Sequence, residues 1–176
     1  MEFQNLMRHR RSIRKYADRA VPAEVIDRII GVTLTAPSSR NSRSTRLLVV
    51  DDPALVARMS EMRDFGSSFM KGAPLAIVVL GDSSLSDMHQ INAAISATIL
   101  HQAAVDEGLG SCWVQIAGRP RLKADPTGES AEDFLREFLP IPPACQPLCA
   151  IVMGYSDFQP KPVPPAADSS DRVIRI

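Results

Sequence analysis

The sequence predicts an α+β domain, a sheet with helices packed on it, and three observations carry that expectation. Short β-branched runs alternate along the chain with segments of helical period, those runs lack polar alternation, and neither an internal repeat nor a second domain is visible in the 176 residues. A chain of that length buries roughly 70% of its unfolded surface, so it needs no disulfide or structural metal to hold a core.

The elements follow in order. Residues 22–35, PAEVIDRIIGVTLT, open with a proline suited to the first helical position. They place Val25, Ile26, Ile29 and Ile30 on one face before Ala36-Pro37 ends the pattern, which makes an amphipathic helix. RLLVVDD (46–52) and LAIVVLGD (75–82) read as strands covered on both faces, with a helix from Pro53 to Met62 between them. From about Ser86 to Glu107, Ile91, Ala94, Ile95, Thr98, Ile99, Gln102 and Ala103 recur at helical spacing. Alanines and a valine fill much of the opposite side, the pattern of a helix buried nearly all round. SCWVQI (111–116) and CAIVMGY (149–155) read as two further strands, and a helix begins near Ser130, where Ser130 and Asp133 stand at capping-box spacing. From Ser156 onward Pro160, Pro162, Pro164 and Pro165 prevent the chain from folding on itself. Residues 156–176 are therefore an arm, either disordered or laid along a surface, and its end, Arg172–Ile176, looks like a strand added to another sheet.

Composition excludes several functions. Lys+Arg and Asp+Glu both number 20, so no overall charge draws the protein to nucleic acid or an anionic membrane, and any basic site is local. Aromatics make up 5% of residues with Trp113 the single tryptophan, which leaves little for a base-stacking platform. The N-terminus lacks a signal-peptide core, and no stretch reaches the ~18 apolar residues of a membrane helix. Cys112, Cys145 and Cys149 lie in or beside apolar runs, as reduced thiols of a cytoplasmic protein do. Gly108-Leu109-Gly110 precedes a strand, whereas a dinucleotide fingerprint follows one, and no Walker motif exists. His9, His89 and His101 are scattered and Cys145-x3-Cys149 has no further ligands at useful spacing, so no metal site is expected. His101 reads as a satisfied buried histidine.

Two polar segments remain. Arg10, Ser12, Arg14 and Tyr16 recur every second residue and share one side if the stretch is extended. Seen alone, RHRRSIRK is a solvated basic run; as a stripe, its guanidinium forks and hydroxyl match what a terminal phosphate needs. Arg10 and Arg14 lie ~13 Å apart along a strand, so Arg10 with Ser12 suits the phosphate and Arg14 reaches further along the ligand. The second segment, APSSRNSRSTRLLVV (36–50), sets Pro37, Ser38, Ser39, Asn41 and Ser42 between a helix and a strand, a loop dense in donors and acceptors and prone to tight turns.

Together the two segments resemble the nitroreductase family of flavoproteins, in its RRSxR-type segment after the first helix and its PSSxNSQPW-type loop after the second. The resemblance continues through AAISATILHQAAVDEGLGSCWVQI (93–116), REFLPIP (136–142) and CAIVMGYSD (149–157), nearly the whole chain. It implies a single nitroreductase-like domain over 1–176, a mostly antiparallel central sheet flanked by helices, and a C-terminal arm exchanged across a homodimer with two FMN sites at its interface. It implies that Arg10, Arg11, Ser12 and Arg14 contact FMN and that Pro37, Ser38, Ser39 and Asn41 come from the other subunit. Trp113, Val114, Gln115 and Ile116 would run beside the isoalloxazine edge, and Arg172 resembles the family's C-terminal phosphate-binding basic residue. No catalytic side chain is required, because the flavin carries the chemistry; Arg14 and Lys71 are candidates for tuning it.

The activity so implied is an NAD(P)H-dependent oxidoreductase that passes electrons to nitroaromatic, quinone or similar small electron-poor acceptors by a ping-pong mechanism. The alternative is a flavin-binding or sensory module on the same fold without turnover. Arg43-Ser44-Thr45 stands where the family usually has Gln-Pro-Trp, and the short RDFGSSFM interval before Lys71 leaves room for only a small lid.

Overall fold

The structure, a computed structural model, describes residues 2–158, 161–164, 172–174 and 176. Its centre is a four-stranded sheet built from β1 (Thr45–Val50), β2 (Leu75–Asp82), β3 (Gly110–Gln115) and β4 (Cys145–Gly154), in the order β1-β2-β4-β3 and antiparallel throughout. β2 lies inside and is buried along its whole length. Leu75, Ile77 and Val79 face one apolar cluster, and Ala76, Val78 and Leu80 face another. The strict two-residue alternation of a strand thus lets one LAIVVLGD segment serve both layers.

The first layer is α2 (Ala23–Thr33) and α4 (His89–Asp106), which pack through Val25, Ile26, Ile29, Ala93, Ala97, Leu100 and Ala104. The second holds α3 (Pro53–Met59), α5 (Ala131–Arg136) and two 3-10 turns, Ser60–Met62 and Ser68–Gly72. Asp52 caps α3 by accepting the Ala54 N–H, with Pro53 in the first turn. The capping box read at Ser130 is present: the Ser130 hydroxyl accepts from Asp133 N, and the Asp133 carboxylate accepts from Ser130 N.

Four expectations change. β1 is an edge strand whose residues up to Val49 keep some exposure, because among the described residues no strand pairs with its outer side. β4 starts at Cys145 rather than Cys149: Pro147 cannot donate to a ladder, and the register against β2 shifts between Val79 and Leu80, so the strand continues past the proline through a bulge. The helix read over Pro53–Met62 is α-helical only to Met59 and then tightens to a 3-10 turn. Finally, α4 is not buried all round. Its small residues Ala93, Ala97 and Ala104 let it sit close on the sheet, whereas Ile91 is 53% and Ile95 36% exposed on the outer face.

Helix α1 (Phe3–His9) buries no residue. The described part of the arm lies along it: Val163 N donates to Arg8 O at 2.8 Å and Arg8 Nε returns a bond to Val163 O at 3.1 Å. Residues 172–174 and 176 form no strand; Arg175, the rest of the expected terminal strand, lies outside the described residues. All three cysteines are free and buried. Among the described residues no helix is long and apolar enough to cross a membrane, and no cluster of three potential ligands could hold a metal.

Candidate functional site

Beyond α1 the chain runs extended beside the start of β3. Ser12 bridges Ser111 in parallel, Ile13 N donates to Ser111 O at 2.9 Å, and Ala17 N donates to Tyr155 O at 2.8 Å. These bonds fix a side-chain alternation. Ile13 points into the core against Gly110, where a Cβ would stand 2.7 Å from the Ile13 side chain, so only glycine fits at the head of β3.

Arg10, Ser12, Arg14 and Tyr16 all reach the surroundings of Cys112, the stripe that the spacing predicts. Burial pushes the Cys112 thiol up, opposed by the Arg14 and Arg10 charges and by hydrogen bonds with Ser12 and Arg14. Burial, with Cys112 beside it, drives Tyr16 far above the ordinary phenol range. Tyr16 therefore stays a neutral donor and ties the segment down through Ile13 O at 2.7 Å. Arg14 lies over the Phe69 ring, 5.7 Å from its centre, which joins the stripe to the Ser68–Gly72 turn that carries Lys71. Arg11 leaves on the other side and donates to Lys161 O of the arm at 3.4 Å, apart from Arg10, Ser12 and Arg14. The ion pairs among the described residues engage Arg28, Arg46, Arg58, Arg121 and Arg136, none of them in the stripe. Among the described residues, Arg10 and Arg14 thus present positive charge without a carboxylate in an ion pair with either.

Along β3 and just beyond it, Val114 and Ile116 have their side chains in the core and offer only backbone groups. Trp113 and Gln115 are half-buried and linked, Trp113 Nε1 donating to Gln115 Oε1 at 2.9 Å, while Gln115 Nε2 donates to Ala117 O. Arg172 is an exposed turn residue.

The loop after α2 is shaped by backbone strain. Arg40, Asn41 and Arg43 have φ of 52°, 53° and 48°, a left-handed conformation that side chains rarely adopt. What holds it is Asn92 on α4, buried, which accepts from Ser39 N at 2.9 Å and donates to Ser44 Oγ at 2.9 Å and Ser42 Oγ at 3.2 Å. Ser38 Oγ accepts from Arg43 N, and Thr45 Oγ1 pairs with Ser96 Oγ of the same helix. Ser44 and Thr45, two of the three residues that replace an aromatic anchor, are thus bonded to α4. No hydrogen bond or ion pair among the described residues joins Ser38–Asn41 to the Arg10–Arg14 stripe.

Asn92 and Ser96 escape a reading by periodicity; their signal is the presence of amide and hydroxyl groups on the covered face of an apolar helix. Asn92→Ala leaves the Ser39 N–H and Ser44 Oγ short of partners at a strained loop, and it is expected to cost about 2 kcal/mol. A denaturant titration checks this, and a loss under 0.5 kcal/mol would show the loop to be held by something else.

The model of the nitroreductase family matches residues 7–63 and 54–155. An FMN-dependent nitroreductase of Clostridium difficile R20291 superposes with a TM-score of 0.90 at 34% identity, covering 98% of each chain. A protein of Methanothermobacter thermautotrophicus whose name joins NADH dehydrogenase and NAD(P)H nitroreductase is 31% identical over 158 residues, 88% of this chain and 78% of its own. The FMN reductase [NAD(P)H] of Bacillus subtilis is 28% identical over 155 residues, 82% of this chain and 62% of its own.

Proposed function

The chain belongs to the nitroreductase family, and on that premise we propose that it is an NAD(P)H-dependent FMN oxidoreductase, acting as a cytoplasmic homodimer on small electron-poor acceptors such as nitroaromatics and quinones. The observation that carries the proposal is the stripe of Arg10, Ser12 and Arg14, brought onto one side of an extended segment with no carboxylate paired to it among the described residues. That donor set fits FMN: a guanidinium fork and a hydroxyl for the phosphate, and a second guanidinium further along for the flavin. When bound, FMN supplies two-electron transfer from NAD(P)H to the acceptor, one substrate leaving before the other binds.

The protein's own part is positioning. Arg10 and Ser12 hold the phosphate, and Arg14, steadied over Phe69, sets a positive charge where reduced flavin gains negative charge. Trp113, Val114, Gln115 and Ile116 border the ring with the backbone of β3 and the edge of the indole. Ser38, Ser39, Asn41 and Pro37 close the site from a second copy. Support for that assembly comes from the strained loop, which makes no hydrogen bond to a stripe residue among the described residues, and from the uncovered isoleucines of α4. Arg172 secures the phosphate after the arm has crossed.

One cuvette tests the reading. The purified protein is expected to be yellow, with one FMN per chain, and to bleach on anaerobic addition of NADPH or NADH. A colourless protein that cannot be loaded with FMN removes the proposal; a yellow one that neither nucleotide bleaches is a flavin-binding module instead.

A further inference from the structure

A cavity of about 600 Å³ is lined by Ser68 and Lys71 of the Ser68–Gly72 turn together with Glu61, Arg63, Asp64 and Arg121. Most charges there are already answered. Arg121 pairs with Glu129 at 2.7 Å, and the Asp64 carboxylate accepts the Lys123 N–H at 3.0 and 3.2 Å. Glu61 and Asp125 are exposed and keep their water.

Arg63 differs. It is half-buried and makes none of the ion pairs among the described residues. Burial and then the like charge of Arg119 push its pKa down, with Asp64 opposing. A guanidinium held partly out of water beside another cation is unfavourable, and an incoming anion relieves it.

Next to it Phe65 is 63% exposed, with the Arg63 guanidinium 5.8 Å and the Lys123 ammonium 5.6 Å from its ring centre. An open aromatic face rimmed by cations suits a planar ring carrying an acidic group. The position is also suitable, because Arg63 Nη1 donates to the Gln115 carbonyl at 3.4 Å, at the end of β3 assigned to the flavin edge.

We propose that the Arg63–Phe65–Lys123 cluster, whose Arg63 lines this cavity, binds the carboxylate of an aromatic acceptor, so that the enzyme favours acidic electron-poor aromatics over neutral ones of the same shape. The inference rests on the reductase reading for its use in turnover but not for its test.

Benzoate and benzamide, titrated calorimetrically into the FMN-loaded protein, probe the charge alone. Benzoate is expected to bind about tenfold more tightly than benzamide. Arg63→Gln is expected to remove that preference while moving benzamide by less than twofold, Arg63→Lys to keep part of it, and Lys123→Gln to reduce it by a smaller factor. In turnover the same order should appear in kcat/KM for 4-nitrobenzoate against 4-nitrobenzamide. A wild-type protein that does not distinguish the two probes, or an Arg63→Gln variant that weakens both equally, overturns the proposal. If neither nicotinamide nucleotide reduces the flavin, the functional reading fails, and the calorimetric comparison still decides whether the anion site exists.

Discussion

Arg10→Ala is expected to lose FMN on dialysis, with the dissociation constant rising roughly 30- to 150-fold, equivalent to about 2–3 kcal/mol for one charge-assisted phosphate contact. The substitution separates binding from folding because of where Arg10 sits. It caps the end of α1 through its backbone, Arg10 N donating to Leu6 O at 3.0 Å, and that bond survives truncation of the side chain. Helix α1 buries no residue, and Ile13, the member of the segment that reaches the core, is untouched. The melting temperature of the FMN-free protein should therefore move by no more than about 1 °C, below the roughly 2–4 °C that a 1 kcal/mol loss gives in a domain of this size. Arg10→Lys keeps the charge but not the planar fork, and should fall between wild type and Ala. Fluorescence titration of FMN measures each, and raising the salt concentration should narrow the gap between wild type and Ala. Full FMN occupancy in Arg10→Ala after dialysis would move the phosphate elsewhere.

How far the site could be read from residues alone depends on the range of the interactions that make it. The alternation of Arg10, Ser12, Arg14 and Tyr16 is a local property of extended chain, so spacing is enough to read it, and the structure places all four around Cys112. The same logic covers β2, whose apolar run meets apolar clusters on both faces. Spacing does not reveal Arg11's separate direction, because it depends on the arm returning from 150 positions away to accept its hydrogen bond. Asn92 is similar: its three bonds reach a loop some fifty residues earlier, and nothing in helical period distinguishes a polar group that organises such a loop from one facing water. The α4 pattern misleads in a different way. Apolar residues on every side announce that every side is to be covered, but not whether the cover comes from the same chain, and within this chain Ile91 and Ile95 remain open.

His101 carries the second large effect. It is buried as the helix pattern implies, yet not satisfied: Nε2 has no hydrogen-bond partner among the described residues, and burial together with the nearby Arg10 charge lowers its pKa from 6.5 to about 4. The unfolded chain accepts a proton near pH 6.5 that the folded chain refuses until near pH 4, so stability is intact above pH 6.5 and falls as the pH drops through that window. The loss accumulates to about 3 kcal/mol by pH 4. Replacing the imidazole by an apolar side chain in His101→Leu is expected to abolish this dependence, and urea titrations of both proteins between pH 7 and pH 4 measure it. Asp82, Glu107 and Asp133, held low by Ser84, Arg28 and Ser130 respectively, add their own acid sensitivity to wild type and variant alike, so the difference between the two curves isolates His101. Parallel curves would show that His101 takes up its proton as readily in the folded chain as in the unfolded one, so that burial does not hold it neutral. The same measurement with FMN bound connects this residue to the site. A phosphate dianion on Arg10 cancels the charge that repels a proton from His101, so FMN should raise the His101 pKa and make the acid slope shallower, an effect absent in Arg10→Ala.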